Sequence, residues 1–341
     1  MISDILNLVR WEWFKVRRRW MPWILLAILV LFSQLAVWGT FFFYQNQEDT
    51  GGQVPYTTSA DPTGGPRSNV QFIDCKDLRD GNLPADLPPD LAPSLLQQCD
   101  RVAEQRDPQL GRLRAAFTLP DSVSGAFNAV GALAVILLAI LTASTIGMDY
   151  GVGALRPILV RGTGRWPYLA SKFVTLGLLA FGALVVVGLG AAVSSIVANA
   201  MLGPGAAPAM TQDTWGEVGL SLVKTWFSLF PYLALTGFVA ILARSSAAGI
   251  AIGLAYYFME GLAVAILSAL FDWFRNVAKF MLGQNIAAFT EAFSLTGGQG
   301  GNPDITMLHA FLVLTAYMLG FGALAFWLFQ RRDVTGGSGS S

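Results

Sequence analysis

The stretch GMDYGVGALRPILVRGTGRWPYLASKF, residues 147–173, is a polar, basic segment that divides two long apolar runs into separate membrane spans. Within it, a small apolar patch at residues 158–160 is flanked by charge. Such a pattern is typical of a short helix that lies along a membrane surface, with its apolar side down and its basic side out. A helix of this kind would offer a docking site to a soluble partner. The basic residues of the segment, and the glycines and prolines that punctuate it, are Arg156, Arg161, Arg165, Lys172, Gly151, Gly153, Gly162, Gly164, Pro157 and Pro167.

The composition is that of a membrane protein. Of the 341 residues, 54% are hydrophobic and only 13% are charged, whereas a soluble globular protein carries about 25% charged residues. Six apolar runs are long enough to cross a bilayer, which takes roughly 20 helical residues. The sequence therefore predicts an all-α membrane protein with six transmembrane helices. These are residues 22–44, 126–147, 173–198, 220–242, 249–270 and 308–329.

Residues 1–21 precede the first span and combine apolar and basic side chains. Apolar residues recur there at helical spacing, which predicts an amphipathic helix lying in the cytoplasmic headgroup plane. The alternative is an ordinary basic flank that sets topology, and the two interpretations are compatible. The apolar positions are Ile2, Ile5, Leu6, Val9, Trp13 and Val16.

Residues 45–124 form a large polar loop between the first two spans, with nine prolines from Pro55 to Pro120. We expect residues 45–68 to be irregular and residues 91–117 to contain helix. The only two cysteines, Cys75 and Cys99, both lie in this loop. If the loop is extracytoplasmic, a disulfide between them is the default interpretation, and two free thiols are the alternative. No metal site is expected, because no second Cys or His pair lies at ligand spacing.

The distribution of charge predicts the orientation. The N-terminus, residues 148–172, Arg244 and the C-terminus together carry 12 Lys and Arg against four acids, and the opposite side carries 10 against 17 acids. Because basic residues near span ends stay cytoplasmic, the sequence predicts a multi-pass protein of the plasma (inner) membrane with both termini cytoplasmic. Residues 336–341 resemble an engineered linker remnant.

Residues 271–307 and Glu260 are two further features of the sequence. Residues 271–307 are unusually apolar for a loop. They contain two runs of helical periodicity, and neither run is long enough to span a membrane. They predict either re-entrant or interfacial helices. Glu260 is the one acid deep inside an apolar run, so it should face protein or water. We expect a structural or gating role for it, with direct substrate contact as the alternative.

The sequence offers little for catalysis. His309 is the only histidine, and no GxxxxGK[ST] phosphate-binding loop is present. We therefore expect no catalytic residues and no cofactor bound by this chain.

The central stretch resembles the cytoplasmic loop between the second and third spans of ABC-2 type transporter permeases. That family combines an acidic residue, a Gly-x-Leu-Arg run, a second Arg, a Gly-x-x-Arg turn and a Lys that opens the next span. The family's acid is usually Glu, so Asp149 is a departure by one methylene. The matching positions are Asp149, Gly153, Leu155, Arg156, Arg161, Gly162, Arg165 and Lys172.

The resemblance implies a transport function. In that family the loop is a coupling helix that docks on an ATP-binding subunit, and export is the commoner direction. It implies two partner ATPases that bind ATP and Mg²⁺, a second permease copy or homologue, and contact with membrane lipid; no nucleic acid is expected. The alternative function is a non-transporting membrane anchor or regulatory subunit of a larger complex. No residue identifies the substrate.

Overall fold

The computed structural model describes residues 2–50, 53–58, 69–80, 82, 87, 91–151, 164–202, 212–290, 293–294, 298–299 and 304–331. Most of them are helical. The elements of this part of the chain are α1 (Ile2–Arg17), α2 (Trp20–Thr50), β1 (Gln53–Thr58), β2 (Asn69–Asp74), α3 (Cys75–Asp80), α4 (Ala92–Phe117), α5 (Asp121–Gly151), α6 (Arg165–Met201), α7 (Gln212–Ala243), α8 (Ser246–Leu270), α9 (Phe274–Ala278), α10 (Leu282–Thr290), β3 (Phe293–Ser294), β4 (Gly298–Gln299) and α11 (Met307–Arg331).

Six of these helices are long and apolar enough to cross a membrane: α2, α5, α6, α7, α8 and α11. Each contains one of the six predicted apolar runs. A helix satisfies all of its interior backbone hydrogen bonds within itself, which is why such runs are helical in a bilayer. The protein is therefore a multi-pass α-helical membrane protein, as the sequence predicts.

Helix α1 ends before the predicted residue 21. A turn at Arg18 and Arg19 separates it from α2, which begins at Trp20. The indole Nε1 of Trp23 donates a hydrogen bond to the carbonyl oxygen of Arg17 at 3.0 Å, which ties the end of α1 to the first turn of α2. Its position in the headgroup plane stays a prediction.

The chain divides into two compact units, and one of them holds the polar loop. This unit comprises Leu35–Ser122 and Ser194–Pro208. The predicted disulfide between Cys75 and Cys99 is present there. Cys99 belongs to a cluster of buried residues from β1, β2, α3, α4 and the segment between the last two. The other members are Val54, Ile73, Leu78, Leu87 and Leu95.

The prediction of irregular structure at residues 45–68 is wrong for its described part. Helix α2 continues to Thr50, and β1 pairs antiparallel with β2, so that Val54 lies opposite Ile73. Both side chains are buried. A six-residue strand is too short for its alternation to stand out in the sequence, and an isolated two-stranded hairpin needs packing against other elements for stability. The helices α3 and α4 provide that packing.

The other unit comprises Met1–Gln34, Val123–Val193 and Ala209–Ser341. Close approach of its helices depends on glycines of α8. A Cβ atom on Gly249 would lie 2.8 Å from Cβ of Ala143 and 2.9 Å from Cβ of Ala240. A Cβ atom on Gly253 would meet Cγ2 of Thr236. These two glycines, four residues apart on one helix face, let α5 and α7 pack directly against the α8 backbone.

Candidate coupling site

A buried ion pair joins the end of α5 to the start of α6. The ammonium Nζ of Lys172 lies 2.5 Å from the carboxylate Oδ2 of Asp149. Lys172 is only 4% exposed, and Asp149 is 9% exposed. Lys172 also donates a hydrogen bond to the carbonyl oxygen of Thr145 at 3.2 Å. The two residues that bracket the predicted coupling segment are therefore in direct contact at its base.

Tyr168 completes the surroundings of this carboxylate. Its hydroxyl donates a hydrogen bond to Oδ2 of Asp149 at 2.5 Å. Tyr168 and Lys172 are four residues apart in α6, so they lie on the same helix face, and the Lys172 ammonium is 5.2 Å from the Tyr168 ring centroid. Because hydrogen bonds to a charged acceptor are stronger than neutral ones, Tyr168 and Lys172 together hold the Asp149 carboxylate in one position.

The N-terminal helix α1 contributes the second acid. Oε2 of Glu12 lies 3.5 Å from Nζ of Lys172, and Oε1 of Glu12 accepts a hydrogen bond from Lys15 at 2.9 Å. Glu12 is 5% exposed. Lys172 thus lies between two buried carboxylates from two different elements. We call Glu12, Lys15, Asp149, Tyr168 and Lys172 the charge cluster.

Arg165 connects the same region to the last span. Its Nη1 donates a hydrogen bond to the carbonyl oxygen of Gln330 at 2.7 Å, near the end of α11. The last carbonyl groups of a helix have no partner within it, and a basic side chain there satisfies one of them. Arg165 and the charge cluster together link α1, α5, α6 and α11.

The structure brings together three of the eight residues predicted for coupling: Asp149, Arg165 and Lys172 all lie at this end of the helices. The other five belong to the segment 152–163, which lies outside the described residues. They are Gly153, Leu155, Arg156, Arg161 and Gly162.

Sequence reasoning missed Glu12 and Tyr168. The available signal for Glu12 was its position three residues before Lys15, a spacing at which opposite charges pair on a helix. Its second partner, Lys172, is 160 residues away, and no local pattern indicates a contact over that distance.

The intramembrane acid Glu260 has a well-defined environment. It is 6% exposed, and its Oε1 accepts a hydrogen bond from the backbone N–H of Gly283 at the start of α10. The hydroxyl of Tyr232 is 3.5 Å from Oε2. The Gln284 backbone and the Tyr256 side chain also hydrogen-bond to this carboxyl group. Since the first N–H groups of a helix have no partner within it, Glu260 serves as a cap for α10.

This contact places the start of α10 beside the middle of α8. Glu260 lies ten residues before Leu270, the last residue of α8, and ten helical residues rise about 15 Å. The hydrocarbon core is about 30 Å thick. Whether residues 271–307 re-enter the membrane or lie on its outer surface stays a prediction.

Further hydrogen bonds hold the connection between α9 and α10. The side-chain nitrogen of Asn285 donates to the carbonyl oxygens of Lys279 and Met281, at 2.8 and 2.7 Å. Nε2 of His309 lies 3.0 Å from the Lys279 oxygen. His309 therefore joins this connection to α11. Within the described ranges, no group of three or more His, Cys, Asp or Glu side chains is arranged to hold a metal ion.

The fold and these contacts define the class: a multi-pass α-helical membrane protein in which a buried ion pair joins α1 to α6 and a second one joins α6 to α5. Residues 114–335, more than half of the chain, match the profile of a family described as "Protein of unknown function (DUF2705)". The chain therefore belongs to the DUF2705 family.

One relative is found in Bacillus subtilis (strain 168). "Uncharacterized protein YhcI" is 22% identical to this chain over 207 residues. The matched region covers 57% of this chain and 63% of the relative, so the chain spans less than two thirds of that protein's length.

Proposed function

We propose that the chain is the transmembrane permease subunit of an ABC transporter of the ABC-2 type, and that ATP is hydrolysed on a separate subunit docked at residues 149–172. The observation that carries this proposal is the buried contact between Lys172, Asp149 and Glu12 at the base of that segment. The segment resembles a coupling loop, and the buried ion pair at its base supports the proposal because it ties both ends of the segment to spans.

Coupling requires that force on a docked segment moves the spans rather than only the loop. A flexible tether would not transmit such force. The two ends of this segment are held by a buried ion pair, and Glu12 adds α1 to the same unit. In this proposal the packed side chains of the network carry a change at the docking site to the helices.

The charges of the segment indicate the kind of surface that would bind it. Arg156 and Arg161 lie within 152–163, together with the apolar residues 158–160. A partner with an acidic rim and an apolar centre would be complementary to this set. In the proposed arrangement two ATPases bind ATP and Mg²⁺. A second permease copy or homologue completes the path by which substrate crosses the membrane. Export from the cytoplasm is the proposed direction.

Glu260 has a structural role in this proposal. Its carboxyl group accepts a hydrogen bond from the backbone N–H of Gly283 in α10 and lies 3.5 Å from the hydroxyl of Tyr232 in α7, so α10 is held to α8. A movement of α8 would then also move α10, which in this proposal lies at the outer end of the translocation path. This is a gating role, and it requires no contact between Glu260 and substrate.

The test is purification of the full-length protein, carrying an affinity tag, from membranes of the cell that produces it. We expect a P-loop ATPase to co-purify, and we expect ATP hydrolysis by that ATPase to rise several-fold when both are reconstituted in lipid. The double variant Arg156→Glu/Arg161→Glu should abolish both effects, because it reverses the charge of the docking surface.

The matched control is Arg112→Glu/Arg114→Glu, an equal charge change on exposed residues of α4. It should leave co-purification and turnover unchanged. Turnover that does not respond to Arg156→Glu/Arg161→Glu would refute the proposal. Recovery of a partner without a nucleotide-binding fold would instead support the non-transporting anchor or regulator.

A further inference from the structure

A cavity of about 400 Å³ lies between α1, the first half of α2, α5 and α6, with one residue of α7 also in its wall. Its walls are apolar, with leucines from four spans, among them Leu25, Leu138, Leu179 and Leu229. Of the described residues that line the cavity, Arg17 alone is charged. The cavity therefore combines an apolar interior with one basic end.

The size of the cavity indicates an occupant. The cavity is partly open to the outside of the protein, so a molecule could enter it from there. Sites for small organic ligands measure roughly 300–1,000 Å³, and the volume of this cavity falls in that range. A Cβ atom added to Gly182, one of the lining residues, would meet no atom within 4 Å, so the wall at that position faces open space.

The basic end carries more than one arginine. Arg17, Arg18 and Arg19 are consecutive at the turn between α1 and α2. Arg18 lies over the ring of Phe14, and Arg19 contacts the sulfur of Met148. No carboxylate belonging to a described side chain lies within ion-pair distance of any of the three.

Two tryptophans mark the level of the membrane surface at this end. Trp13 and Trp23 both line the cavity, and Trp23 donates to the Arg17 carbonyl oxygen. Tryptophan is enriched at the headgroup level of bilayers. The apolar depth, the aromatic rim and the arginines therefore match the order of chemical groups in a phospholipid, from acyl chain to phosphate.

We propose that the cavity is a binding site for one anionic phospholipid. One acyl chain occupies the apolar cavity beneath α1, and the phosphate is bound by Arg17 with Arg18 and Arg19 nearby. The lipid joins α1 to the spans from the membrane side, as the charge cluster does through Glu12. This site is independent of the proposed transport function, because it requires neither an ATPase nor a substrate.

The test uses the full-length protein in nanodiscs of equal parts phosphatidylglycerol and phosphatidylcholine. After extraction into detergent, native mass spectrometry counts the lipids that remain on each chain. We expect one retained phosphatidylglycerol. Arg17→Gln should lower its retention about fivefold, the factor that one basic residue contributes near an anionic surface. Gly182→Phe, which fills the cavity, should abolish retention.

The controls match each change at a site away from the cavity. Arg331→Gln removes another basic residue beside a tryptophan at the end of a span. Gly320→Phe places the same ring at a span glycine that also has open space around it. Both should retain the lipid. The proposal fails if the wild-type chain retains no phospholipid, if it retains phosphatidylcholine equally, or if Gly182→Phe retains as much as Gly320→Phe.

Discussion

Lys172 Nζ and Asp149 Oδ2 are 2.5 Å apart, although 22 residues separate them in the chain, and the two residues are the ends of the segment 149–172 that is proposed to dock on a partner. The pair closes the base of that segment. Both residues are almost fully buried. Because a buried charge without its partner is strongly unfavourable, the contact has large consequences for stability.

Removal of Lys172 should destabilise the protein severely. Lys172→Met leaves Asp149 and Glu12 buried without their shared counter-charge, and breaking a buried pair typically costs about 3–5 kcal/mol. We expect a loss of this size in thermal unfolding of the detergent-solubilised protein. Lys15→Met is the control, because Lys15 is 33% exposed and contacts only Glu12 in the described cluster. An equal loss in both variants would contradict the central role of Lys172.

Glu260 should hold the start of α10. Glu260→Leu removes the acceptor for the Gly283 N–H, and an unsatisfied buried donor costs about 1–3 kcal/mol. Hydrogen–deuterium exchange of residues 282–290 should therefore become faster. Glu260→Gln keeps a carbonyl acceptor and should show a smaller increase. The neighbouring Met259→Leu, at an exposed residue, should not change exchange, and equally fast exchange in all three would argue against the cap.

The two glycines of α8 should be sensitive to size. Gly253→Leu would place side-chain atoms where Thr236 lies, and Gly249→Leu would displace Ala143 and Ala240. Overpacking of this kind costs about 1–3 kcal/mol or more. Gly322→Leu on α11 has open space and is the control. We expect lower melting temperatures for the first two variants only. A wild-type melting temperature for Gly253→Leu would show that the helices can move apart at no cost in stability.

The disulfide should stabilise the unit that contains the polar loop. It links residues 24 positions apart, and closing a loop of this size stabilises by about 3 kcal/mol in the chain-entropy model. Cys75→Ser/Cys99→Ser should make residues 53–117 more susceptible to proteolysis, while the six spans stay intact. Proteolysis at an unchanged rate would mean that the packing around Leu95 stabilises this unit sufficiently without the disulfide.

The same cysteines test the orientation. In intact cells, a reductant that does not cross membranes should open the disulfide, and a maleimide that does not cross membranes should then label Cys75 and Cys99. The same treatment should leave the new cysteine of an Arg156→Cys variant unlabelled. Labelling of residue 156 in intact cells would place the docking segment outside and would exclude cytoplasmic coupling.

Composition and hydropathy were sufficient to predict the fold class and the number of apolar helices. A bilayer imposes one requirement on every spanning segment, which is about 20 apolar residues with a self-satisfied backbone, and that requirement is visible locally. The disulfide was predicted on the condition that the loop is extracytoplasmic, and with two cysteines in the chain only one pairing was possible. The strands β1 and β2 were missed because their stability comes from packing on α3 and α4.

The arrangement of the charge cluster and the cap on α10 arises only in the folded protein. Asp149 and Lys172 were recognisable in the sequence, but the contact of Lys172 with Glu12 joins segments 160 residues apart. In the same way, Glu260 was identifiable as a buried acid, while its partner Gly283 lies in a different helix. Local periodicity reports which face of a helix is apolar. It carries no information on which distant charge a buried residue meets, because that depends on how the helices pack.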